Sequence, residues 1–171
     1  MFRGSEVKRA TLQLPYCLRG DEFRSMARQC VDFAERGYDV YVGVLPRNKP
    51  LGAHPLGKES IDKAQWVWID LDAKVNGASL EVLSEWDMVV CSGNGWHAYR
   101  TIEQRTISTK KDKADFEAKM RAVQNRTIFG TDNVSDVTRI LRVAGTLNWK
   151  DRANPKRVEL IRGGGIAPTF K

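Results

Sequence analysis

The run Gln65 to Leu71, reading Q-W-V-W-I-D-L, constrains this chain more than any other segment. Aromatic and β-branched residues at that density, without glycine or proline, make an extended strand, and its end carries two acids, Asp70 and Asp72. One intervening residue on a strand puts both carboxylates on the same face, about 7 Å apart, near enough to share hard cations. Two-metal phosphoryl transfer needs such a pair, because Mg²⁺ and Mn²⁺ demand oxygen ligands. Seen alone, acids at a strand end are also common solvated groups, so the neighbouring segments must decide.

Those segments predict a mixed α/β (α+β) fold. From Asp21 to Arg36 the apolar residues Phe23, Met26, Ala27, Cys30, Val31 and Ala34 recur at helical spacing, with Gly37 where a C-terminal cap belongs. Tyr38 to Leu45 reads as a strand, and the Pro- and Gly-rich stretch from Pro46 to Ser60 as a long functional loop containing Arg47, Lys49, His54 and Lys58. A short helix from Ser79 to Trp86 is expected next, followed by strands at Asp87 to Cys91 and Trp96 to Ile102. A second long helix begins near Asp112, buries Phe116, Met120 and Val123, and ends near Gly130. Thr131 to Lys150 reads as irregular, and Arg157 to Ile161 as a last short strand.

At 171 residues, with 42% hydrophobic and 29% charged residues, the expectation is one soluble domain over 1–171, and the lack of a closing element after Ile161 suggests a piece of something longer. Lys and Arg outnumber Asp and Glu by 28 to 21, a net charge of +7 that makes polyanions natural partners. The three cysteines, Cys17, Cys30 and Cys91, form no metal-binding spacing, which argues for an intracellular, cytoplasmic protein without zinc. No apolar run is long enough for a membrane helix, and the N-terminus does not open a signal peptide.

Two further stretches carry candidate chemistry. Ser92-Gly93-Asn94-Gly95-Trp96-His97 sets glycines in a turn, where backbone N–H groups can meet an anion, and follows them with an imidazole. A hairpin turn before a partly buried histidine explains the same letters. Asp132 to Lys150, D-N-V-S-D-V-T-R-I-L-R-V-A-G-T-L-N-W-K, adds acids at Asp132 and Asp136 and cations at Arg139, Arg142 and Lys150. Arg139 and Arg142 are three apart and can clamp phosphate from one helical face, although a mixed-charge run is usually solvated surface.

Taken in order, W-I-D-L-D at Trp68 to Asp72, S-G-N-G-W-H at Ser92 to His97 and the stretch from Asp132 to Lys150 resemble the archaeo-eukaryotic primase superfamily, in particular its primase-polymerase branch from phages, plasmids and mobile elements. The resemblance implies a catalytic core with an RRM-like sheet and an N-terminal α/β unit, extending or initiating primers on single-stranded DNA from nucleoside triphosphates. It implies Asp70 and Asp72 as ligands of two Mg²⁺ or Mn²⁺ ions, with Asp132 as third ligand and Asp136 competing for that place. His97 matches the histidine that contacts the incoming phosphates. Gly95 stands where many relatives have serine, so that contact passes to Ser92, Asn94 or backbone N–H groups. Arg139, Arg142 and Lys150 resemble positions that meet nucleotide or template, and Arg47 is expected to serve similarly. Ala144 replaces the common proline before Gly145. The branch often works with further domains or a helicase partner. A metal-dependent nuclease and a non-catalytic RRM-like binding module are the competing readings, since the first uses the same metal geometry and the second the same sheet.

Overall fold

A computed structural model describes residues 20–48, 57–74, 79–127 and 134–163. Helix α1 (Gly20–Glu35) opens with Asp21 and Glu22, which complement the positive end of its dipole. It closes at Gly37 (φ +89°), where Tyr38 N–H donates to Phe33 O at 3.1 Å and Gly37 N–H to Ala34 O at 3.0 Å. This is a Schellman cap, completed by the Phe33 and Tyr38 rings edge to face at 5.9 Å. Ala34 is fully buried, whereas Phe23 and Val31 stay exposed.

Strand β1 (Tyr41–Gly43) is shorter than the predicted Tyr38 to Leu45. Beyond it, β2 (Lys63–Asp72), β3 (Met88–Cys91) and β4 (Gly95–Thr106) form the main sheet with β8 (Glu159–Arg162), in the order β2-β4-β3-β8. Every neighbouring pair in it is antiparallel. Between β2 and β3, the short helix expected from Ser79 to Trp86 is reduced to a 3₁₀ turn at Glu81–Leu83. The stretch read as irregular holds β5 (Ile140–Arg142), which pairs with β1, and β6 (Leu147–Asn148), which pairs with β7 (Lys156–Arg157). An RRM sheet returns its closing strand beside the first; here β8 adds to β3 instead, so among the described residues β2 is an edge and the acids lie on it.

Helix α2 (Lys110–Thr127) starts two residues before the expected Asp112 because Thr109 caps it. Asp112 N–H donates to Thr109 Oγ1 at 3.1 Å and Thr109 N–H returns to Asp112 Oδ2 at 3.0 Å, a reciprocal capping box. Its buried side chains include the predicted Phe116 and Met120.

Alternation along the strands divides the core. Trp68, Tyr99 and Val90 look toward Phe116, Met120, Val134, Val137, Leu141 and Val158. Ile69, Leu71, Val89 and Ala98 look the other way, onto Leu83 and Trp86. The mixed α+β class is therefore as expected, and no helix among the described residues is long and apolar enough to cross a membrane.

Candidate functional site

The β2–β4 register sets Asp70 opposite His97 and Asp72 opposite Gly95, so the first two motifs meet side by side. His97 Nε2 stands 3.6 Å from Asp70 Oδ1, with the imidazole 3% exposed and the carboxylate 35% exposed. The histidine is thus a wall of the site, while the acid reaches solvent. Burial, reinforced by the positive charge of Arg142, pushes the His97 pKa down to about 4. At neutral pH the ring is neutral, so its approach to Asp70 is a polar contact and not an ion pair. Its Nδ1 is buried without a hydrogen-bond partner among the described residues.

A pH dependence of stability follows. The unfolded ring has a pKa near its ordinary 6.5, and the folded ring titrates near 4. Between those values the unfolded state binds more protons, so stability falls as pH drops through this window, by about 3 kcal/mol by pH 4. Urea unfolding at pH 7 and pH 4 should show this loss in the native chain, and His97→Gln should remove that part of it. An equal pH loss in both proteins would contradict a neutral buried ring.

The glycine turn closes a tight hairpin. Gly93 has φ +88°, and Ser92 N–H donates to Gly95 O at 2.8 Å, so the left-handed freedom of glycine lets the chain reverse between β3 and β4. Asn94 O accepts Ala73 N–H at 3.0 Å, tying the turn to the residue after Asp72. Ser92 is buried, with its carbonyl accepting Asn148 Nδ2 at 2.6 Å. The Ser92 N–H and carbonyl are therefore committed within the fold. A Cβ on Gly95 would lie 2.1 Å from Leu71 O and 2.9 Å from Asp72 Cα, so this position admits no side chain.

The third stretch is braced from several sides. Trp68 Nε1 donates to Val134 O at 2.8 Å, Val137 N–H to Glu117 Oε1 at 3.0 Å, and Arg121 Nη1 to Ser135 Oγ at 3.3 Å. Arg47, expected to meet nucleotide, donates to Thr138 O at 3.1 Å and to Ser60 Oγ at 3.4 Å, so it braces the same segment. Asp136 pairs with Arg139 at 2.7 Å and accepts Thr138 Oγ1 at 2.7 Å. Its oxygens are engaged on its own turn, while Asp132 lies outside the described residues. Among the described residues no three metal-ligating side chains gather, and Asp70 and Asp72 stand two positions apart on β2.

Arg142 is held by groups the sequence reading missed. Its Nη2 donates to Asp39 Oδ1 at 3.3 Å, and its guanidinium lies over the Tyr41 ring at 5.0 Å. Asp39 Oδ1 also accepts Trp149 N–H at 3.1 Å. Lys150 is exposed on the loop after β6. A cation that the sequence did not single out, Lys156, donates to Asn94 Oδ1 at 2.9 Å on the hairpin tip.

No family model matches the chain, and no curated protein or solved structure does either.

Proposed function

We propose that this chain is the catalytic module of a template-dependent nucleotidyltransferase of the primase-polymerase kind, extending or initiating primers with nucleoside triphosphates as substrates. One observation carries the reading. Asp70 lies opposite His97 across two paired strands, with His97 Nε2 3.6 Å from Asp70 Oδ1, so residues from the first two motifs stand side by side. The same reading makes it an intracellular protein that works on single-stranded DNA, with further domains or a helicase beside it.

The donor set suits hard cations: two carboxylates two positions apart on an edge strand, Asp70 partly open to solvent. Asp70 and Asp72 would hold Mg²⁺ or Mn²⁺, which would supply activation of the primer hydroxyl and offset charge on the leaving pyrophosphate. Asp132 remains the preferred third ligand and Asp136, through its pairing with Arg139, the weaker candidate. The protein's own groups handle orientation. A neutral His97 offers one ring N–H to a phosphate oxygen, and Arg142, already aligned by Asp39 and Tyr41, brings a planar cation toward the same anion. Arg139 and Lys150 add positive charge along the approach.

Primer extension with a labelled primer-template, Mg²⁺ or Mn²⁺ and nucleoside triphosphates tests the proposal. Stepwise lengthening of the primer is the expected result. Strand cleavage would replace it with the nuclease reading, and a mobility shift without any change in strand length would replace it with a binding module.

A further inference from the structure

The β6–β7 hairpin and its loop gather Lys150, Arg152, Lys156 and Arg157, all exposed. Asp151 is the one acid between them, and its Oδ1 accepts Ala153 N–H at 3.0 Å. Among the described residues no carboxylate forms an ion pair with any of the four cations. Positive charge is therefore concentrated and locally unneutralised on one short ribbon.

That ribbon is also fixed in place. At its base, Trp149 Nε1 donates to Ala34 O at 2.8 Å and Trp149 N–H to Asp39 at 3.1 Å. Along its length, Asn148 reaches the buried Ser92 carbonyl and Lys156 reaches Asn94. The Lys156 stem lies so close to Gly93 that an added Cβ there would come within 2.7 Å of Lys156 Cβ. Asn94 in turn binds Ala73, the residue after Asp72. A chain of direct contacts thus runs from the basic ribbon to the strand end that carries the acids. Charges that serve only solubility have no need of such anchoring.

We infer that the β6–β7 hairpin is an electrostatic clamp for the phosphodiester backbone of the template strand, holding it beside the Asp70–His97 patch. The inference rests on the proposed polymerase reading in taking the template as its ligand. Lys156, with one N–H on Asn94, keeps two donors for a phosphate, and the guanidinium groups of Arg152 and Arg157 can grip phosphates with paired N–H groups.

Fluorescence anisotropy with labelled oligothymidylate, in EDTA and over a range of salt, tests the clamp without any chemistry. The variants are the triple Lys150→Gln, Arg152→Gln, Arg157→Gln and the single Lys156→Met, which keeps the stem against Gly93. For the triple variant, affinity should fall at least about tenfold at low salt. Its plot of log affinity against log salt should be shallower by about 2, at about 0.7 per lost contact to a single strand. Lys156→Met should lose a smaller share of both. No binding by the native chain, an unchanged slope in the triple variant, or a weaker affinity with the native slope would each overturn the clamp. A native chain that binds with a steep salt slope yet extends no primer would refute the polymerase reading and leave the clamp standing. Primer extension with unaltered binding by the triple variant would do the reverse.

Discussion

Alanine at Asp70 or at Asp72 is expected to suppress nucleotide incorporation by at least about 10²–10³-fold, the scale set by losing one group that stabilises transition-state charge. The fold should survive. Asp70 is part-exposed at the end of the strand order, and Asp72 accepts a local hydrogen bond from Lys74 N–H at 2.9 Å. Thermal unfolding should therefore be close to native while extension disappears, and added Mn²⁺ should not restore it. Near-native extension by either variant, in preparations free of contaminating polymerase, would remove these acids from the chemistry.

The largest effect on stability should come from Trp68→Ala, at about 3–5 kcal/mol. Trp68 is completely buried, its ring lies 6.1 Å from that of Phe116, and its Nε1 holds the Val134 carbonyl. Removing it opens a cavity beneath the sheet and releases one brace of the segment that leads to Arg139 and Arg142. Trp68→Phe separates the two contributions. It retains most of the ring but leaves the Val134 carbonyl without its donor, which costs about 1–3 kcal/mol if the site stays dry. Urea unfolding of the three proteins gives the ranking native, Phe, Ala. A loss below about 1 kcal/mol for Trp68→Ala would show that this ring does not organise the core.

The sequence made some of this legible because local rules sufficed. The alternation that sends Trp68, Asp70 and Asp72 to one face and Ile69 and Leu71 to the other is a period of two, visible in any strand. Gly37 announced the end of α1 for the same kind of reason. The Thr109–Asp112 box was equally local, yet placing the helix start at Asp112 passed over it. In Ser92 to Gly95 the letters suit both an anion cradle and a hairpin, and cross-strand pairing with Asp72 favours the hairpin. What one sequence could not reveal were partnerships across distance. Asp39 with Arg142, Asn94 with Lys156 and Trp149 with Ala34 join positions far apart in the chain, and no periodicity encodes them. Arg47 shows the same limit, since its charge suggested a ligand whereas its neighbours make it a brace.

The irregularity in the β2–β4 pairing between Ala64 and Trp66 bears on how such a chain can change length during evolution. An extra residue inserted there on β2 would be met by the longer β4 stretch between Thr101 and Arg105 and leave Asp70 facing His97. The same insertion between Trp68 and Asp70 would rotate both acids into the space of Ile69 and Leu71, against Leu83 and Trp86. Descendants of this gene should therefore tolerate insertions and deletions at the far end of the ribbon and reject them over the last turn of alternation before Asp72.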